Sequence, residues 1–157
     1  GKDEILISTR MAQAVRFNEE KVRSVGRNSM GVKGITLKPK DSVVSSEVIK
    51  NDNVKILTVT ENGFGKRTDI SKYRLTSRGG KGVTTLKVTE KTGEIVNAFQ
   101  TENEDQIILL SSAGKATRLK ASDISLIGRA TQGVKLMKVD DETKVVAVAK
   151  IAEKENE

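Results

Sequence analysis

The sequence predicts an all-β, propeller-like fold of three consecutive four-stranded blades, and three observations carry that reading. Arg16, Arg67 and Arg118 lie 51 residues apart, and Arg27, Arg78 and Arg129 keep the same interval, as do Gly31-Val32, Gly82-Val83 and Gly133-Val134. Short aliphatic and β-branched runs recur between Gly, Asn and Asp turns, whereas the apolar spacing of a helix never holds for long. Each period contains four such runs, the content of a propeller blade. A fixed, ungapped period marks a repeat architecture in which each unit buries its apolar face against a neighbour. The units are residues 3–53, 54–104 and 105–152, followed by an acidic tail, 153–157, expected to be disordered. Function is therefore sought in what the units share.

Each repeat opens on an apolar run, Ile5-Leu6-Ile7, Ile56-Leu57-Thr58-Val59 or Ile107-Ile108-Leu109-Leu110, read as a buried strand. A tight turn follows, clearest at Glu61-Asn62-Gly63 and Ser112-Ala113-Gly114, where glycine accepts a positive φ. Ala12 stands in place of that glycine in the first repeat, so a different turn is expected there. The second strand alternates through Val15-Arg16-Phe17, Lys66-Arg67-Thr68 and Thr117-Arg118-Leu119, placing each Arg on the face opposite its neighbours. Val22, Tyr73 and Ile124 come next in register, then the loops 26–31, 77–82 and 128–133, each leading into a third strand. A fourth strand closes each unit at Val43–Ile49, Ile95–Phe99 and Val145–Ala149. Because propellers have four to eight blades, three leave the ring open. Gly1 is read as a cut, and further blades are expected in a longer protein.

Composition removes most enzymatic readings. The chain has no histidine and no cysteine, so Ser-His-Asp and Cys-His catalysis, thiolate or imidazole metal sites and disulfides cannot be built. No run of about 18 apolar residues and no leader is seen, so neither a membrane span nor a signal peptide is expected, and the absence of cysteine makes the cytoplasm the default expectation. Carboxylates share no spacing across repeats, so neither an acid-base pair nor a metal cluster has support, and no cofactor is expected. Tyr73 is the only tyrosine, a conceivable nucleophile. Its counterparts Val22 and Ile124 identify it instead as core.

The net charge is +7, from 28 basic and 21 acidic residues, and it is segregated. Residues 10–40, 61–91 and 112–142 together carry +13, and the remainder −6. Repetition of this basic stretch in every unit favours a polyanionic partner. The Gly-rich segment Ser77-Arg78-Gly79-Gly80-Lys81-Gly82 suits phosphate oxygens but lacks the spacing of a nucleotide-binding loop. For Arg27, Arg78 and Arg129 two readings stand: phosphate contact, or hydrogen bonds to carbonyls of the adjoining blade. Lys66, Arg67, Lys81, Lys115 and Arg118 are expected in solvent and on the ligand, together with Arg16, Lys33 and Lys135. Only four aromatic residues, Phe17, Phe64, Tyr73 and Phe99, are present, too few to stack single-stranded bases. Duplex DNA is the expected partner, held by its backbone and bent at an elastic cost of roughly 1–6 kcal/mol.

These residues resemble the C-terminal domain of DNA gyrase A, with the corresponding topoisomerase IV domain a close relative. The likeness covers residues 3–152 and is carried by 57–68, 77–83 and 127–134 together. The resemblance implies a β-pinwheel, a disc of up to six blades that exchange an outer strand, here present as three blades. It implies a non-catalytic module whose basic rim wraps DNA and supports negative supercoiling, with DNA cleavage and ATP hydrolysis elsewhere in an enzyme built from two copies each of gyrase A and gyrase B. Partners would be duplex DNA, the rest of gyrase A, and gyrase B, in a nucleoid-associated cytoplasmic setting. Thr76–Gly82 matches the last five positions of the family's box Q-R-R-G-G-K-G without its opening Gln-Arg, and in a repeat other than the first blade, where the box belongs. The repeats look most like the last three blades. Rival readings are the topoisomerase IV domain, a protein-binding propeller, which lacks its Trp-Asp signature here, and an independent hydrolase.

Overall fold

A computed structural model describes residues 3–20, 34–76 and 79–151. Arg27, Lys33, Arg78, Val22 and the tail 153–157 lie outside these residues. The apolar runs that open the repeats form β1 (Glu4–Thr9), β4 (Lys55–Thr60) and β9 (Gln106–Ser111). Each turns into an antiparallel partner, β2 (Gln13–Asn18), β5 (Phe64–Asp69) or β10 (Ala116–Lys120). The last strand of each repeat, β3 (Val43–Ile49), β8 (Ile95–Thr101) or β12 (Val145–Ile151), returns along the other side of the first. A register shift recurs at Ser8/Thr9 and Val59/Thr60 on the first strands and between Val145 and Ala147 on β12 opposite the end of β9, so even the bulges follow the period. Among the described residues no helix is long and apolar enough to cross a membrane.

The remaining short strands do not stay with their own repeat. From the second repeat, β6 (Leu75–Thr76) and β7 (Val83–Thr84) pair with β2 of the first, through Arg16 to Leu75 and Ala14 to Val83. From the third, β11 (Val134–Lys135) pairs with β5 of the second, through Gly65 to Val134, and Arg67 bridges Leu126 as Arg16 bridges Leu75. Sheet boundaries therefore cross repeat boundaries. The third sheet has the order β10-β9-β12, three strands where the repeat pattern leads one to expect four, because in the other two sheets the outermost strand comes from the following repeat.

The fourth strands lie side by side at the inner edge. Gln100 Nε2 donates to Val48 O at 2.7 Å, and Lys150 Nζ donates to Gln100 O at 3.0 Å. The core sits between sheets: Leu6, Ile49, Ile56, Ile70 and Tyr73 fill the first junction, and Leu57, Ile107, Ala121, Ile124 and Met137 the second. Tyr73 and Ile124 are both buried, in keeping with their shared register, and each contributes roughly 1.5–3 kcal/mol of apolar burial.

One turn differs from expectation. Ala12 adopts φ 67°, beside 86° at Gly63 and 83° at Gly114, and the three close the same bond, from Ala12 N to Thr9 O at 3.0 Å, Gly63 N to Thr60 O at 3.1 Å, and Gly114 N to Ser111 O at 3.0 Å. The hydroxyls of Thr9, Thr60 and Ser111 accept from the fourth residue on in every case. The hairpin imposes the left-handed conformation whatever occupies the position.

Candidate nucleic-acid interface

The in-register arginines of the second strand turn inward. Arg16 Nη1 donates to Tyr73 O at 2.9 Å and Ile70 O at 3.2 Å, and its Nε donates to Glu4 Oε1 at 2.8 Å in an ion pair that leaves the side chain 11% exposed. Arg67 repeats the reach: Nε donates to Ile124 O at 2.9 Å and Nη1 to Asn103 Oδ1 at 2.9 Å. It is 6% exposed, and burial lowers its pKa. Both cations tie their sheet to the carbonyl 57 residues on, one repeat further along. Arg118, on the open edge strand β10, has only Gln106 Oε1 at 3.4 Å and is exposed. The expectation of solvent exposure is thus corrected for Arg16 and Arg67 and met by Arg118.

Lys66 is corrected more sharply, being 0% exposed. Its Nζ donates to Gly128 O at 2.7 Å, Arg129 O at 2.8 Å and Thr131 O at 2.8 Å, with Thr131 Oγ1 at 3.1 Å. Burial, and then the Arg129 charge, lower its pKa to about 8. Alternation along β5 places Lys66 and Arg67 on opposite faces, and an isolated hairpin would leave one face wet. Here the following repeat covers both, with loop 128–131 over Lys66 and residues 124–125 over Arg67.

Arg129 settles between its two readings in favour of the adjoining blade: Nε donates to Lys72 O at 2.7 Å and Nη1 to Thr84 O at 2.8 Å. Tyr73 is no nucleophile candidate, since its hydroxyl is buried against Thr85 Oγ1 and burial raises its pKa.

Exposed cations on or beside the outer strands include Arg74, Lys81, Lys115, Arg118 and Lys135, while Arg10, Lys38, Lys40 and Lys50 are exposed next to β1 and β3. Lys81 precedes β7 and lines a groove of about 570 Å³ with Arg74, Thr76 and the Gly79–Gly80 backbone. Lys135 lies on β11, its ammonium 5.5 Å from the centroid of the Phe64 ring, and Lys91 approaches the same ring at 5.6 Å. Such cation-π contacts hold long side chains at a defined place. Lys115 occupies in the third hairpin the position of Phe64 in the second and borders a second groove with Lys138. Arg74, Lys91 and Lys138, each with a basic counterpart in one other repeat at Arg23, Lys40 and Lys87, were not singled out from sequence. The arrangement places exposed ammonium and guanidinium groups on or beside the outer strands, which suits repeated phosphates.

Successive sheets that share outer strands and stack by their inner edges define a propeller-like pinwheel domain. A family profile described as the DNA gyrase C-terminal domain, beta-propeller, matches residues 3–50, 55–102 and 105–152. The chain belongs to that family. It is 45% identical to the DNA gyrase A protein of Staphylococcus epidermidis over 157 residues, covering 99% of the chain and 18% of that protein. Against the DNA gyrase A protein of Staphylococcus aureus it is 44% identical over 161 residues, covering 100% of the chain and 18% of the relative. Among solved structures, a DNA gyrase A C-terminal domain superposes with a TM-score of 0.84 at 32% identity, covering 96% of this chain and 51% of that one. The C-terminal domain of a DNA topoisomerase IV superposes with 0.88 at 26% identity, over 96% and 47%. The chain thus spans less than a fifth of these curated relatives and about half of the solved domains.

Proposed function

We propose that this domain binds duplex DNA through its outer basic edge, bends it, and so supports negative supercoiling as a non-catalytic part of DNA gyrase. The observation that carries the reading is the placement of exposed Lys81, Lys115, Arg118 and Lys135 on or beside outer strands, while the inner edge is occupied by strand-to-strand contacts. Duplex DNA, the remainder of gyrase A and the gyrase B protein are the partners, and the setting is the cytoplasm, at the nucleoid. The superposition on a topoisomerase IV domain supports a second reading with the same surface chemistry in a relaxing and decatenating enzyme. The identities to gyrase A proteins favour the first.

A salt titration of binding to linear duplexes of increasing length tests the proposal. Affinity is expected to rise with length to a limit, and log K to fall linearly with log salt at about 0.9 per phosphate neutralised. Salt-independent affinity, or charge reversal of Lys81, Lys115, Arg118 and Lys135 without loss of binding, overturns it.

A further inference from the structure

Loop 128–131 directs its oxygens inward, onto a single side chain. Three carbonyls and one hydroxyl, all uncharged, lie within 3.1 Å of the Lys66 ammonium, and Thr131 Oγ1 donates to Gly128 O at 2.9 Å. No carboxylate takes part. An ammonium has three N–H groups, so this coordination replaces its whole hydration shell by backbone and hydroxyl dipoles.

Comparison between repeats shows what the cation does. At the first junction the position of Lys66 is held by Val15, and Gly79 and Gly80, the counterparts of Ala130 and Thr131, are held by Thr36, whose hydroxyl donates to Gly79 O and whose N–H donates to Gly80 O at 2.8 Å. At the second junction the counterpart of Thr36 is Lys87, which keeps the backbone bond, to Thr131 O at 3.1 Å, and has no hydroxyl to give. One anchor has been exchanged for another: Thr36 with Val15 in one junction, Lys66 with Lys87 in the next.

We propose that loop 128–131 is a binding cage for a primary ammonium ion, filled in this protein by the side chain of Lys66, and that this tethered cation sets the shape of the loop. The loop carries Arg129, whose side chain donates to Lys72 O and Thr84 O, and leads into the outer strand that carries Lys135. If the DNA reading above holds, Lys66 is accordingly a positioning residue for that basic edge without touching the ligand.

Lys66→Ala deletes three carbons and the ammonium, the atoms that propylammonium supplies. Hydrogen exchange over residues 127–135 is measured in wild type, Lys66→Ala and Lys66→Met, at constant ionic strength in sodium, propylammonium or tetramethylammonium chloride. Exchange is expected to speed up about tenfold in both variants, with propylammonium restoring protection to Lys66→Ala and tetramethylammonium, which has no N–H, restoring none. Unchanged exchange in Lys66→Met, or recovery equal in the two organic salts, overturns the proposal. Should Lys66→Ala fail to fold in sodium chloride, folding in propylammonium but not tetramethylammonium supports it, and folding in neither overturns it. Duplex binding is measured on the same samples: wild type that fails to bind DNA refutes the functional reading and leaves the cage standing.

Discussion

The repeated hairpin turn offers a test with its controls built into the chain. A Cβ placed on Gly63 would lie 2.0 Å from Met137 O and 3.1 Å from its carbonyl carbon, whereas one on Gly114 meets nothing within 4 Å. Both glycines hold φ above 80°, so alanine at either costs about 1–2 kcal/mol of left-handed strain, less about 0.4–1 kcal/mol from stiffening the unfolded chain. Gly114→Ala is therefore expected to destabilise by about 1 kcal/mol. Gly63→Ala must also displace backbone that donates to Gly63 O from Leu136 and Met137 at 2.7 and 3.2 Å, adding about 1–3 kcal/mol of overpacking. The total is about 2–4 kcal/mol. Ala12→Gly removes the strain but loses a fully buried methyl packed near Leu86 and Ile95, worth about 0.8 kcal/mol, and loosens the unfolded chain, so its effect is near zero. At about 2–4 °C per kcal/mol for a chain of this size, scanning calorimetry should place Gly63→Ala on the order of 10 °C below wild type, Gly114→Ala about 3 °C below, and Ala12→Gly close to it. A Gly114→Ala melting point as low as that of Gly63→Ala would refute the claim that the donated strand makes the difference.

Arg67→Met, which strips the buried Ile124 O of a charged donor and breaks the bond to the exposed Asn103, is expected to cost about 1–3 kcal/mol in urea unfolding. Arg118→Met should stay within about 0.5 kcal/mol while lowering the salt slope of duplex binding by about 0.9; the reverse order of stabilities would show that blades are not tied through this position. Because Tyr73 is the only tyrosine and burial holds its pKa above the ordinary value, tyrosinate absorbance should appear only with unfolding at alkaline pH. The unfolded phenol ionises near the ordinary value of about 10 and pulls the equilibrium there, so a reversible titration near pH 10 in the folded protein would contradict the core assignment. The Ser71 amide at 3.0 Å, then the Lys55 ammonium at 3.0 Å, hold Asp69 at about 2. A depressed carboxylate stabilises the fold above its unfolded pKa of about 3.9 and loses that contribution as pH falls towards 2. Asp69→Asn should flatten the acid limb of a stability profile in that window, and an unchanged limb would count against the pairing.

The period, the hairpins, the inner strands and the core role of Tyr73 were legible because each depends on residues close in sequence or on plain apolarity. Strand donation by β6, β7 and β11 was implied by the family resemblance alone and not by the residues themselves, since two-residue strands carry almost no periodic signal. The burial of Lys66 was hidden for a related reason: its cover comes from Gly128 to Thr131, more than 60 residues downstream, and nothing within β5 distinguishes a lysine facing water from one facing a neighbouring loop. Ala12 misled because propensity favours glycine at positive φ, while the hairpin and its Thr9 cap decide the conformation.

Perfect three-fold recurrence proved to mean something different from what it suggests at first sight. The Arg16, Arg67 and Arg118 series recurs in every repeat, as the Arg27, Arg78 and Arg129 series does, and where a following repeat is present its members serve the junction between blades. A junction is a fixed geometric problem, met again every 51 residues, and it selects the same side chain each time. A rim that attracts phosphates is a looser problem. Backbone phosphates recur along the whole duplex and carry no sequence information, so binding depends on how many cations reach the edge and only weakly on which repeat supplies each one. Lys81, with Met30 and Gln132 as its counterparts, and Lys115, with Gln13 and Phe64, are irregular in register, Lys135 recurs only as Lys33 with Thr84 between them, and all three are exposed in space. In a repeat protein of this kind, strict periodicity of a charge argues for architecture, and a regional excess of charge without strict periodicity argues for the ligand.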